Sequence, residues 1–385
     1  MTLYIILIFI ALCAGMAISV HAFGTGGKRK RIFQDIYFTV EDVDGIGVLY
    51  TKTGEYLAVL RMENPVQKYS ANIDSYYEFT SLLTAVAQTL GEGYAIHKQD
   101  VFVRKQFEDV TGDRHEFLSS AYFRYFKGRM YTDSVCYLTL TQESRKSSLF
   151  SFDGKKWRDF LVKIRKVHDQ LHDAGIQAEF LDKPQANAFV DHYFAMNFKD
   201  RIVSMTNFKV DDETVSMGGK RCKVYSLVNV DCAALPSLVR PYTNIEVNNA
   251  EMPVDLLSVI DSIPEAETVV YNEIIFLPNQ KPELAALDEK KNRHASIPNP
   301  GNQMAVEDIK RVQEIVARES KMLVYSHFNL VVGVSADTDI QKCTNYLENA
   351  FGRMGIHISK HAYNQLELFV ASFPGNCYAL NQDYD

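Results

Sequence analysis

The chain has 385 residues, 46% of them apolar and 23% charged, a balance that excludes disorder, collagen and a chain-long coiled coil and leaves room for two or three domains. Beyond residue 31 it carries 37 Lys and Arg against 48 Asp and Glu, a net of −11, so direct nucleic-acid binding is not expected. Six cysteines with no Cys-x-x-Cys pair exclude a disulfide framework and a zinc knuckle.

In chain order, the first element is an uncharged run of 18 residues, Leu3 to Val20. It is near the minimum for a membrane-spanning helix. Lys28, Arg29, Lys30 and Arg31 follow it, and no cation precedes it. By the positive-inside rule these four set the topology and keep the body cytoplasmic. A signal peptide cleaved after Ala22 and a misplaced start codon are the competing readings. Residues 1–23 are therefore expected to be an anchor and 24–33 a basic flexible linker.

Short β-rich runs at 36–40, 46–50 and 56–62 are separated by Asp42-Val43-Asp44-Gly45 and Lys52-Thr53-Gly54, both turn signals. The periodicity then predicts a helix over 70–90, a strand over 94–107, and helices near 115–127, 153–174 and 184–198. Strands are expected near 134–141 and 176–181. The second half repeats the mixture, with strands at 201–210, 222–231, 267–277 and 322–334. Its helices are expected at 252–261, 304–320, 338–353 and 360–368. Residues 296–302 form a breaker cluster. No short-period repeat is visible. The expected class is α+β: two mixed subdomains with largely antiparallel sheets, over 34–200 and 201–376, behind a membrane-spanning helix.

Catalytic motifs are missing. Gly27-Lys28, Gly154-Lys155 and Gly219-Lys220 all lack the upstream Gly and the following Ser/Thr of a P-loop. Gly45-x-Gly47 and Gly91-x-Gly93 lack the third glycine of a dinucleotide fingerprint. There is no Gly-x-Ser-x-Gly elbow. His168 and His172 stand four apart and could share a metal, but they fall in or beside the apolar arc of their helix. Neither a catalytic nor a metal site is expected. The same helix carries Lys155, Lys156, Arg158, Lys163, Arg165 and Lys166 on its opposite face. That stripe is a solvated face by default and otherwise a contact for lipid or a partner. Asp211-Asp212-Glu213 reads as a solvated turn rather than a Ca²⁺ loop.

Several segments together carry a resemblance. Asp35–Asp42, Gly45–Tyr56, Tyr69–Phe79, His97–Arg104, Lys155–Arg165 and Phe369–Asn376 resemble, in order, the N-terminal region of the TraG-family ATPase of conjugative transposons. That family is similar to the large inner-membrane-associated ATPase of type IV secretion systems. The resemblance implies an α/β region that docks on inner-membrane channel components and sister subunits, on the cytoplasmic face of a bacterial inner membrane. It also implies a following RecA-like domain that binds ATP and Mg²⁺ and assembles as an oligomer. Phe-Pro-Gly-Asn sits shortly before that domain in the family, so residues 377–385 read as its lead-in and this chain as the N-terminal half alone. No family catalytic residue has a position here, and no cofactor is expected. A fragment without activity of its own and a metalloenzyme using His168 and His172 are the rival readings.

Overall fold

The computed structural model describes residues 36–64, 73–108, 117–143, 154–199, 208–217, 219–226, 242–247, 250–255, 259–260, 262–297, 299–319, 321–353, 356–360 and 364–377. The expected anchor, the basic run Lys28–Arg31, positions 201–207 and the tail after Cys377 lie outside these residues. Among the described residues no helix is long and apolar enough to cross a membrane.

The first half opens with a three-strand meander: β1 (Tyr37–Val43), β2 (Ile46–Thr51) and β3 (Tyr56–Met62). Val43 pairs with Ile46 across a two-residue loop. Asp44 and Gly45 both have positive φ, 54° and 82°, the conformation whose twist matches the flanking strands. α1 (Ile73–Leu90) crosses to β4 (Tyr94–Gln106). α2 (Phe117–Phe126) joins β4 to β5 (Met130–Gln142). α3 (Gly154–Asp173), β6 (Ala178–Phe180) and α4 (Lys183–Ala195) complete the half. α4 starts at a capping box between Asp182 and Gln185, with Pro184 in its first turn.

The second half begins with β7 (Phe208–Val210), β8 (Val215–Met217) and β9 (Lys220–Ser226). The hairpin of β10 (Tyr242–Val247) and β11 (Ala250–Asp255) stands apart as a two-stranded sheet. β12 (Thr268–Leu277) leads through α5 (Gln280–Ser296) and α6 (Pro300–Glu319) to β13 (Tyr325–Ser335). α7 (Gln341–Arg353), an antiparallel bridge from Ser359 to Ser226, and α8 (Gln365–Ala371) follow.

One eleven-stranded sheet holds both halves, in the order β1-β2-β3-β5-β4-β12-β13-β9-β8-β7, with β6 against β3. The pairings are antiparallel throughout. The order is a palindrome. β1-β2-β3-β5-β4 from one end matches β7-β8-β9-β13-β12 from the other. The outer edge of β3 is shared end to end by β2, facing Tyr56–Ala58, and β6, facing Leu60–Met62. The outer edge of β9 is shared likewise by β8 and the Ser359 bridge. In each half the third strand inserts between the first two, and in the first half α1 makes the crossover of a split β-α-β unit. α3 corresponds to α7, α4 to α8, and the insertion α2 to the insertion α5–α6. The halves are related by a pseudo-two-fold axis where β4 meets β12. No short-period repeat in the sequence marks this symmetry.

On one face of the sheet α1 and α3 cover the first half. Val86, Leu90, Phe160, Ile164, Val167 and Leu171 pack on Leu60, Leu138 and Leu140. α7 covers the second half, with Cys343, Leu347 and Phe351 on Leu330, Val332 and Val334. On the opposite face α4 and α8 share one core that spans both halves, joining Leu49 and Leu57 to Val224 and Val331. Each such large side chain contributes about 1.5–3 kcal/mol on burial.

The class is thus α+β around a large antiparallel sheet, with eight helices among the described residues. Two expectations are corrected. The helix expected at 252–261 starts as strand β11, because apolar residues at 252, 254, 256 and 257 satisfy either period and the hairpin decides. α5 was not anticipated, because it buries no residue and so shows no apolar stripe.

Candidate functional site

The basic stripe of α3 is present but divided. Lys163 Nζ donates to Leu90 O at 2.7 Å, lies 3.0 Å from Asp159, and sits 4.6 Å above the Tyr94 ring. It therefore ties down the C-terminal carbonyls of α1. Arg165 reaches Asp44 at 2.5 Å, and Arg158 Nε donates to Gly154 O at 3.1 Å. Lys155 and Lys166 are exposed, and Lys156 is half-buried. Lys163, Arg165 and Arg158 thus have local structural partners.

His168 packs as a core-boundary residue. Its ring stacks on Phe180 at 5.3 Å, and Nε2 lies 3.0 Å from Ala178 O. His172 is exposed one turn on. Among the described residues no group of three or more His, Cys, Asp and Glu could hold a metal ion. Asp211 Oδ1 accepts from the Glu213 and Thr214 amides, closing the β7–β8 turn, and Glu213 pairs with Lys223 at 2.9 Å.

The residues that sequence reasoning missed lie at the β4–β12 seam. Gln99 stands opposite Asn272 and Lys98 opposite Glu273, at the pseudo-dyad. Alternation along the strands sends the two pairs to opposite faces. On the α4/α8 face a buried polar row runs across three strands. Asn272 Oδ1 accepts from Gln99 Nε2 at 2.9 Å and meets His97 Nε2 at 2.9 Å. Asn272 Nδ2 donates to Asn329 Oδ1 at 2.8 Å, and Asn329 Nδ2 to Ser372 Oγ at 3.1 Å. Tyr193 OH at the end of α4 donates to Ser372 O at 3.0 Å, just past α8. The two equivalent helices thus meet over the axis. His97, Gln99, Asn272 and Asn329 are fully buried. Burial, with the adjacent His327 adding to it, pulls the His97 pKa down to about 4 against the Asn272 hydrogen bond. This imidazole is therefore neutral.

On the other face Lys98 and Asp100 form a buried ion pair beside Glu273. Burial opposes the Lys98 charge most strongly, but Asp100, with Cys136 and Glu273 adding to it, raises the pKa. Burial also raises Glu273 and pushes the neighbouring Cys136 thiol well up. The available sequence signal was four consecutive polar residues, His97–Asp100, inside a strand otherwise reading as core. Polar on both faces, such a run belongs on neither solvent nor core unless partnered. Chemically the row joins the halves. A one-residue slip would turn every amide to the wrong face and orphan it.

Two insertions carry the exposed features. α5 and α6 form a helical hairpin whose inner contacts include Lys291 Nζ to Gln313 Oε1 at 3.1 Å and His294 Nδ1 to Asn302 Oδ1 at 2.9 Å. Its base is closed by Gln280, which bonds both the N–H and C=O of Leu323. α2 presents an aromatic tip described below. No protein-family model matches the chain, and no curated protein matches it.

Proposed function

We propose that the chain is the N-terminal docking and assembly region of a conjugative DNA-transfer ATPase of type IV secretion. It contacts inner-membrane channel subunits and sister copies from the cytoplasmic face. The observation that supports this reading is the ordered set of resembling segments and their places in the fold. Gly45–Tyr56 spans the β2–β3 meander, His97–Arg104 is the seam strand, and Lys155–Arg165 is the helix over the first half. Phe369–Asn376 closes the opposite core, where Phe373 is fully buried and Asn376 Nδ2 donates to Val370 O at 2.9 Å. The two half-sheets then stand for the units 34–200 and 201–376, each docking through its own insertion. Phosphoryl transfer needs a phosphate cradle and a Mg²⁺ ligand, and neither motif occurs in these 385 residues. ATP and Mg²⁺ belong to the domain that follows in the family.

The test is co-purification of the tagged chain with the full-length ATPase and the inner-membrane subunits of a conjugative system. Stable recovery of both is expected, with no ATP turnover by the chain alone. Failure to recover either leaves the inert-fragment reading. A reporter fused after Asp385 is expected to be active only in the cytoplasm, and a periplasmic signal would overturn the topology set by Lys28–Arg31.

A further inference from the structure

β4 pairs with β12 only as far as Val103, and β5 pairs with β3 only from Cys136 onward. Arg104 N still donates to Glu267 O at 2.9 Å, just before β12, and beyond it Lys105–Gln106 pair only with Met130–Tyr131. They extend the hairpin about 7 Å past the sheet, and α2 sits on its end. The finger is closed by Phe107 N to Arg129 O at 2.8 Å and Gly128 N to Phe107 O at 2.9 Å. Phe123 and Phe126 pack on Phe107, with centroids at 5.8 and 6.2 Å.

The surface of this finger is unlike the rest of the molecule. Tyr122, Tyr125, Met130 and Tyr131 are 56, 61, 57 and 45% exposed, a third of all exposed large apolar side chains among the described residues, within ten positions. Arg124, Lys127 and Arg129 are exposed between them. The Arg129 guanidinium lies 3.8 Å over the Tyr125 ring. Residues 117–132 contain no carboxylate. Lys105 is paired with Asp133 at 2.6 Å. The local carboxylates are Glu108, exposed at the end of β4, and Asp109, Asp113 and Glu116, which lie outside the described residues.

Amphipathic rings interleaved with cations suit the headgroup layer of a bilayer, where a ring buries its body and keeps its hydroxyl wet. The cations suit an anionic surface, each contributing about 1 kcal/mol there. We propose that the α2 finger docks on an anionic lipid surface, through Tyr122, Tyr125 and Tyr131 with Arg124, Lys127 and Arg129. This deepens the docking reading, since it names a second contact with the membrane that reading places beside the body.

The test is amide hydrogen exchange of the full chain on vesicles of phosphatidylglycerol mixed with phosphatidylcholine, and on phosphatidylcholine alone. Exchange across residues 119–131 is expected to slow ~10-fold on the anionic vesicles only. Tyr122→Ser/Tyr125→Ser should abolish the effect while leaving exchange in Gly154–Asp173 unchanged, which shows the variant is folded. No slowing on anionic vesicles, equal slowing on neutral ones, or slowing by a single-stranded oligonucleotide without lipid overturns the proposal. Flotation separates it from the anchor. A chain that floats on neutral vesicles but shows no protection of the finger on anionic ones overturns the finger and keeps the anchor. A chain that does not float on neutral vesicles but shows finger protection on anionic ones does the reverse.

Discussion

Asn272 is the residue on which the polar row turns, since it accepts from Gln99, meets His97 and donates to Asn329. Asn272→Leu keeps the volume and leaves those three partners buried and unpaired, which costs about 3 kcal/mol or more at 1–3 per stranded group. The urea midpoint of the variant should fall accordingly, and an unchanged midpoint would show that the row adds nothing to stability. His97 gives the row a pH signature. Its folded pKa of about 4 lies below the unfolded value of about 6.5. The unfolded chain therefore binds the proton first as pH falls. The stability that His97 contributes is whole above pH ~6.5 and drains away down to pH ~4, a loss of about 3 kcal/mol. His97→Gln retains an Nε2 donor and should flatten that limb of the unfolding-versus-pH curve; parallel curves would refute the assignment. At Gly47 the constraint is contact rather than charge. Its amide bonds Leu181 O at 2.7 Å, and an added Cβ would stand 2.6 Å from Asp182 O. Gly47→Ala forces β2 away from the end of β6 and should lower stability by about 1–3 kcal/mol.

Among elements, the hairpin α5–α6 has the thinnest attachment. α5 buries no residue and α6 only Ile309, so its helices rest mainly on each other and on propensity. Replacing Leu284–Val316 by a short Gly-Ser loop, with Gln280 and Leu323 kept, should change the midpoint of the sheet by less than about 1 kcal/mol. A cooperative loss of the whole fold would show that the arm is part of the core. α8 is the contrary case. With only seven residues, it buries Gln365, Leu368, Phe369 and Ala371. The Gln365 side chain accepts from Val224 N at 2.7 Å and donates to Val224 O at 3.1 Å, serving as a strand partner for β9. Helix existence was legible wherever a stripe had to be buried, as in α3 and α7. It was not legible in α5, where nothing is buried, nor at 252–261, where two periods fit.

For the whole molecule, the pseudo-two-fold axis explains why polar residues occupy the centre of the sheet. An antiparallel join between two equivalent second strands has no turn to set its register, so side chains must do it. The buried amides of Gln99, Asn272 and Asn329 pair in one register only, a use of core polarity for specificity. The same axis sends the two insertions to opposite ends of the seam, because β4 and β12 run in opposite directions. The body therefore presents an aromatic, basic finger at one end and a charged helical hairpin at the other.

The sequence by itself determined the class, most strands and helices, the Asp44-Gly45 turn, and the want of a P-loop motif, because each depends on neighbours in the chain. His97–Asp100 was visible only as an odd polar run in a strand. Tertiary structure alone decided the single sheet, its palindromic order, the meeting of Tyr193 with Ser372, and the finger. The polar row and the meeting of Tyr193 with Ser372 depend on partners 43 to 179 residues apart, and the likeness of the halves is recorded in their strand order. Periodicity reports which face of an element is buried; it carries no information about which distant strand provides the partner.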